Sequence, residues 1–160
     1  MMLLMTTGLA HAQSLDVVAK YDGEGIDVRW FPPPPDNDNQ TSRYRIERTD
    51  SMGRALSITH KPLSPITNLA TLRAKLGPFS ATYEAAVLSA AREQSFSMVS
   101  LNRALRSSAV GDLIAWFAVT YPEVADVLGQ RRLDVDVQPG ASYTYRVYMD
   151  RGDGSGEVLL

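Results

Sequence analysis

The sequence contains no cysteine. This absence excludes disulfide frameworks, thiolate zinc sites, iron–sulfur clusters and thiol catalysis, although it does not indicate a redox compartment. An excess of one charge is also missing, since 16 Lys and Arg residues stand against 18 Asp and Glu residues and leave a formal net charge of −2. Such a chain lacks the positive field that drives binding to nucleic acid. We therefore expect no nucleic-acid partner.

Long hydrophobic runs are absent as well. No stretch approaches the ~18 consecutive apolar residues that a membrane-spanning helix needs, so we expect no membrane insertion. The 160 residues are 44% hydrophobic, which is typical of one globular domain and excludes a disordered chain. The chain also has no internal repeat of the kind found in solenoids or propellers.

The N-terminal segment, residues 1–12, is mostly apolar and ends in Ala-His-Ala. This pattern predicts a secretory signal peptide that is removed before Gln13. The segment is short and has no basic start, so the signal is incomplete or the segment is simply an apolar N terminus. If the signal operates, the protein is secreted, periplasmic or on the cell surface.

Residues 13–61 show the alternation of β-structure and predict the first half of a β-sandwich. Ile26, Val28 and Trp30 alternate with Asp27 and Arg29, which indicates a half-buried strand. Prolines at 32–35 end this strand after residue 31, because proline removes ladder donors. A second strand around 44–48 and a short third strand over 55–59 follow.

Residues 62–130 change character and predict an all-α insertion of four to five helices. Ser64 as N-cap with Pro65 at the first helical position begins the first helix, and the Gly-Pro pair at 77–78 ends it. Further helices are expected over 82–94, over 98–105, from Ser108, and after Pro122 with Gly129 as the terminating residue.

Residues 131–160 return to β-structure. Leu133, Val135 and Val137 alternate in one strand, and residues 143–148 form the next. A glycine-rich loop follows at 152–156, and only four residues remain for the final strand. We expect this last strand to be truncated, so that either further domains follow Leu160 or a partner supplies the missing edge.

Three stretches resemble a fibronectin type III domain. They are Gly25 to Pro33 (GIDVRWFPP), similar to its B strand, Tyr44 to Arg48 (YRIER), similar to its C strand, and Val137 to Val147 (VQPGASYTYRV), similar to its E-to-F corner. The resemblance implies structural roles for Trp30, Tyr44, Tyr143 and Tyr145. Tyr143 takes the tyrosine-corner position, where a buried ring returns its hydroxyl to the upstream backbone.

The expected fold class is therefore α+β, a fibronectin type III or immunoglobulin-like antiparallel β-sandwich interrupted by helices. The ordinary family has a short connection where this chain has some 65 residues of helix. With this helical stretch, the chain resembles the N-terminal regions of large secreted bacterial proteins. That resemblance implies a module within a longer chain. Whether the helices pack on the sandwich or project from it stays open at this point.

The candidate catalytic and metal-binding residues are few. His60 is the one histidine after residue 12, and no nucleophile motif accompanies it. Loop acids at 36, 38, 150, 153 and 157 lack the spacing of a calcium loop. We expect a non-catalytic protein without a cofactor or a metal site.

Two features suggest partner binding. Arg151-Gly152-Asp153 lies in the predicted F-to-G loop, where the same tripeptide serves integrin-type adhesion, but Gly and Asp also serve turns. Trp116 and Phe117 are adjacent on a helix, so their side chains point about 100° apart and one is less buried. Tyr121, Tyr148 and Trp116 are candidates for sugar stacking, with packing as the alternative.

These observations support two hypotheses of different class. The first is a secreted or cell-surface module that scaffolds or recognises an unknown protein or glycan in a larger assembly. The second is an accessory carbohydrate-binding or substrate-shaping domain of an extracellular degradative enzyme. Integrin-type adhesion through the tripeptide is a minor third.

Overall fold

The structure is a computed structural model that describes residues 16–32, 42–106, 108–150 and 157–159. The predicted signal peptide and the tripeptide at 151–153 lie outside these ranges. The described residues form seven strands and five α-helices, which confirms the α+β class. The strands are β1 Asp16–Tyr21, β2 Ile26–Phe31, β3 Arg43–Asp50, β4 Ala55–Ser57, β5 Arg131–Asp134, β6 Tyr143–Asp150 and β7 Glu157–Leu159. The helices are α1 Leu69–Leu76, α2 Ser80–Ala91, α3 Met98–Arg106, α4 Ser108–Thr120 and α5 Pro122–Val127.

The strands form two antiparallel sheets. One has three strands in the order β1-β2-β5, and the other has four in the order β4-β3-β6-β7. All five helices lie between β4 and β5 in the chain. The helical residues therefore interrupt the β-structure where the composition predicts, and β1 is an edge of the three-stranded sheet.

Side chains from both sheets share one apolar cluster. Its buried members are Val28 and Trp30 from β2, Tyr44 and Ile46 from β3, Ile58, and Val147 and Met149 from β6. The Trp30 and Tyr44 rings meet edge to face with their centroids 5.5 Å apart, a favoured aromatic geometry. Burial raises the pKa of the Tyr44 hydroxyl to about 12. The alternating apolar positions of β2, β3 and β6 thus meet in a single core.

The helices have a second apolar core of their own. Buried residues from all five helices build it, among them Leu72, Tyr83, Leu101, Ile114 and Val124. Phe31, at the end of β2, packs against this helical core from the sheet side. The helices therefore contact the outer face of the three-stranded sheet, the face opposite the core shared with the other sheet.

The first helix begins later than the sequence predicts. It starts at Leu69, and its N-cap is Asn68, whose side chain accepts a hydrogen bond from the Thr71 N–H at 3.0 Å. Upstream, Leu63 exchanges two backbone hydrogen bonds of 2.8 Å with Tyr44, and the Ile66 N–H donates to the Val127 carbonyl at 2.8 Å. The prediction of Ser64 and Pro65 as a helix start is wrong, because tertiary backbone bonds hold that segment outside a helix.

Two predicted strand bounds also shift. The short strand after β3 ends at residue 57 rather than 59, and β5 covers residues 131–134, although the alternation of Leu133, Val135 and Val137 predicted a strand further along the chain. Val135 is 59% exposed. The apolar alternation there does not mark a buried face, since strand pairing with β2 ends at Asp134.

Gly129 ends α5 as the sequence predicts. Its φ is +66°, and the following Gln130 N–H donates to the Ala125 carbonyl at 2.8 Å. A Cβ at this position would lie 2.6 Å from the Ser64 carbonyl carbon. Only glycine fits both the left-handed conformation and the close approach of the segment that leads into α1.

We expect Gly129→Ala to lower the free energy of unfolding by about 2 kcal/mol or more, because left-handed strain adds to a backbone clash. Gly140→Ala is the matched control. Gly140 also has a positive φ, of +81°, but nothing lies within 4 Å of its Cβ position. Denaturant unfolding should show a loss of about 1 kcal/mol for the control. Equal losses in the two variants would contradict the role assigned to the contact with Ser64.

Candidate functional site

The outer face of the three-stranded sheet carries a buried ionic network centred on Asp27. One carboxylate oxygen of Asp27 accepts from Arg29 Nη2 at 2.7 Å, and the other accepts from Arg131 Nε at 2.8 Å. Arg131 also donates to Asp126 at 3.1 Å. Burial raises the pKa of Asp126, and the charge of Arg131 opposes that shift. The network joins β2, β5 and α5.

Arg29 extends the network to the end of α4. Its Nη1 donates to the carbonyl of Ala118 at 3.2 Å and to the carbonyl of Val119. The last carbonyls of a helix have no partner inside the helix, and they carry a partial negative charge that favours a cation. Arg29 therefore anchors the helical insertion to the sheet while Asp27 balances its charge.

Sequence reasoning missed this network. The alternation in β2 places Asp27 and Arg29 on the polar face of a half-buried strand, yet Asp27 is only 7% exposed. The pattern is polar at residues 27 and 29 because charges at these two positions attach the helices, while Phe31 on the same face makes an apolar contact with them. An aspartate two residues before an arginine on one strand face was the available signal, and it is not specific.

We expect Asp27→Asn to lower the free energy of unfolding by about 3 kcal/mol. The neutral amide would no longer balance the positive charges of Arg29 and Arg131 between the three-stranded sheet and the helices. Chemical unfolding followed by far-UV circular dichroism measures the loss. Arg103→Met is the control, since its ion pair with Glu93 has an arginine side chain that is 71% exposed. That variant should change stability by less than about 1 kcal/mol. Comparable effects would contradict an anchoring role for Asp27.

A second network joins the two sheets. Asp134 of β5, 4% exposed, accepts from Arg48 Nη1 at 2.9 Å and from the Tyr145 hydroxyl at 2.9 Å. Arg48 lies 5.0 Å from the centre of the Tyr143 ring, a cation–π distance. The Tyr143 hydroxyl in turn accepts the Gln138 N–H at 2.9 Å. Tyr143 and Tyr145 are half-buried, and both support the junction of β5, β3 and β6.

Burial, the hydrogen bond to Asp134 and the charge of that carboxylate raise the pKa of Tyr145. The folded state therefore keeps this proton to a higher pH than the unfolded state, whose tyrosines ionise near pH ~10. Because the unfolded state then binds fewer protons, stability is full below about pH 10 and falls as the pH rises further.

We expect Tyr145→Phe to flatten this alkaline loss. Stability measured by urea unfolding between about pH 8 and 12 should fall less steeply in the variant, with Tyr44 among the groups that cause the remaining slope. At neutral pH the variant should lose about 1.5 kcal/mol, because a hydrogen bond to a buried carboxylate disappears. An unchanged alkaline slope would contradict the assignment.

Trp116 is the candidate binding residue that the structure leaves exposed. It lies on α4 and is 57% exposed, whereas Trp30 is fully buried in the core between the sheets. Val119, one turn further, is 45% exposed on the same face of the helix. Phe117 points into the helical core, and its ring centroid is 5.4 Å from that of Trp116. Trp116 and Val119 therefore form an exposed apolar surface, called here the α4 surface.

The other aromatic candidates for sugar stacking are engaged within the fold. Tyr121 is half-buried and stacks on Phe79 with ring centroids 4.2 Å apart. Tyr148 is half-buried beneath the guanidinium of Arg45, at 4.2 Å from its ring centre. The three aromatic side chains are thus not brought together into one site.

The remaining candidates are placed as follows. His60 is exposed in the connection after β4. In the part of the chain that the structure describes, no group of three or more histidine or carboxylate side chains could hold a metal ion. Among the helices of those same ranges, none has the length and apolar character to cross a membrane. Most of the loop acids weighed for calcium lie outside the described residues.

Comparison of the chain with protein-family models, with curated protein sequences and with solved structures found no match.

Proposed function

We propose that the chain is a non-catalytic, secreted or cell-surface module that recognises a partner within a larger assembly. We further propose that it is a fibronectin type III-like β-sandwich carrying a helical insertion. The strand order supports this fold. The strand that resembles the family's B strand, β2, belongs to one sheet, and those that resemble its C and F strands, β3 and β6, are neighbours in the other.

The observation that carries the recognition role is the exposure of Trp116. A large aromatic ring that stays exposed to water lacks the favourable free energy that burial would provide. Such rings are enriched where proteins bind their partners. Trp116 sits on a helix that is held to the sheet through Arg29, so its backbone is fixed before a partner arrives. The recognition surface would then be built by the insertion rather than by the β-strands.

A glycan is the second candidate ligand, in keeping with an accessory carbohydrate-binding domain. The same indole supports it, because a flat exposed ring can stack on the apolar face of a sugar. The α4 surface has one exposed ring, however, and one ring offers one stacking position. A protein partner can also use the neighbouring Val119, so we favour a protein.

The test begins with two screens of the full chain, one against a glycan array and one against a displayed peptide library. The selected ligand is titrated by calorimetry against the native chain and Trp116→Ala. We expect at least a 10-fold loss of affinity, or about 1.4 kcal/mol, because the variant removes the stacking ring. The free energy of unfolding should change by no more than about 0.5 kcal/mol, since the side chain is exposed.

Met52→Ala is the matched control. Met52 is 72% exposed in the turn between β3 and β4, on the other sheet, and its truncation should leave binding unchanged. Equal binding by native chain and Trp116→Ala would place recognition elsewhere. Chemical turnover of a selected ligand would overturn the non-catalytic role.

A further inference from the structure

The outer edge of β1 presents backbone groups to the surroundings in a defined order. β1 pairs with β2 on its other side, from Asp16 opposite Phe31 to Tyr21 opposite Ile26. The Asp22 N–H donates to the Gly25 carbonyl at 3.1 Å in the connecting turn. Hydrogen-bonded pairs alternate along an antiparallel ladder, so Val18 and Lys20 bond to β2. Val17, Ala19 and Tyr21 therefore turn their N–H and carbonyl groups toward the open edge.

Within the described ranges, these outward groups of β1 have no hydrogen-bond partner. Of the usual protections of an edge, the strand has one lysine, Lys20, but lacks two others. It contains no proline, and its six pairs with β2 run without a bulge. Val17, Val18 and Tyr21 are 43%, 44% and 57% exposed. Such an edge is a template for another strand.

We propose that β1 pairs antiparallel with β1 of a second copy of this chain, with the Ala19 residues of the two copies opposite each other on a twofold axis. In this register Val17, Ala19 and Tyr21 of one copy face Tyr21, Ala19 and Val17 of the other. All outward groups of the three residues then exchange hydrogen bonds, and two three-stranded sheets become one of six strands.

Neighbouring registers satisfy fewer of these groups. A slip of one residue places outward groups opposite groups already bonded to β2, and a slip of two leaves one of the three residues opposite a position beyond β1. The self-complementary register is also the one in which the smallest residue of the strand, Ala19, lies on the axis.

The side chains of residues 17 to 21 fit this register. On the core side, Val17 faces Tyr21 of the second copy, an aromatic and β-branched pair that favours strand association. The Tyr21 hydroxyl donates to the Gly23 carbonyl at 3.0 Å, which fixes the ring before association. On the helix side, the methylene groups of Lys20 cover Val18 while the ammonium group stays in water.

Pairing would also place both α4 surfaces on one side of the joined sheet. Val18 is paired with Arg29, and Arg29 bonds to the carbonyl of Val119 on the helix side. The twofold axis is perpendicular to the sheet, so the second Val119 lies on the same side. A dimer would then present two α4 surfaces to one partner, but the pairing itself does not depend on the proposed recognition role.

The absence of cysteine makes the register directly testable on the full chain. In Ala19→Cys the two thiols face each other across a hydrogen-bonded pair with Cα atoms about 5.5 Å apart, within the range of a disulfide. In Val17→Cys the two equivalent Cα atoms are about 14 Å apart, since they are offset by four residues. A mixture of Val17→Cys with Tyr21→Cys brings unlike thiols together.

We expect mild oxidation to cross-link Ala19→Cys and the mixture, but not Val17→Cys alone. Sedimentation velocity of the native chain should show a dimer that forms with rising concentration. Ala19→Pro removes an outward N–H and leaves the bonds between β1 and β2 in place, so it should weaken the dimer by at least about 10-fold. Circular dichroism and thermal unfolding confirm that each variant is folded.

Several results would overturn the proposal. One is a native chain that stays monomeric up to about 1 mM, the weak end of measurable association. Another is cross-linking of Val17→Cys at the same rate as that of Ala19→Cys. A folded Ala19→Pro variant with undiminished dimerisation would do the same, because the interface would then lie elsewhere. A monomer whose β1 edge binds a different strand, detected by protection of the Ala19 amide from hydrogen exchange, would identify another occupant.

Discussion

The carboxylate of Asp27 is the point at which the β-structure and the helical insertion meet. It compensates two arginines, and one of these, Arg29, reaches the last carbonyls of α4. Without that negative charge, two guanidinium groups would share a covered face with too little compensation, and a buried unpaired charge costs several kcal/mol. The position of the helices, and with them the α4 surface, therefore depends on one acidic side chain in the middle of a sheet.

The two interfaces of the molecule use different chemistry. Between the sheets, Trp30, Tyr44 and Val147 form an apolar core, and one polar network around Asp134 borders it. Between sheet and helices, Phe31 supplies an apolar contact, and Arg29 and Arg131 supply charged ones. Apolar contacts are non-directional, whereas hydrogen bonds from arginine to carboxylates and carbonyls favour a narrow range of distances and angles. The ionic interface is suited to orient a helical unit that already has its own core.

The surface of the chain has two exposed features, one on the helical insertion and one on the β-structure. The exposed ring of Trp116 lies on α4, and the exposed backbone edge lies on β1. Arg29 connects the two, since it is paired with Val18 in the sheet and is bonded to the end of α4. The exposed ring and the exposed edge are chemically independent features, the first a side chain and the second a row of backbone groups.

Much of the fold was predictable from local patterns. Alternation in β2, β3 and β6, helical spacing from Leu69 onward and the glycine at 129 follow from the backbone preferences of individual residues, and the structure has these elements. The start of α1 was not predictable in this way. Ser64 and Pro65 suit a helix start, but backbone bonds from Leu63 and Ile66 to distant strands and helices override that local preference.

The sequence by itself determined the class of elements, their order and the apolar faces, because these depend on residues close together in the chain. It also predicted that Trp116 and Phe117 differ in burial, since neighbours on a helix point in different directions. Only the tertiary structure decided which of the two is exposed, and that the charged face of β2 is covered. The burial of Phe117 depends on its packing against Phe79 and Tyr83 from other helical segments. The cover over β2 depends on contacts between residues some ninety positions apart, such as Arg29 and Ala118, and no local pattern encodes such pairs.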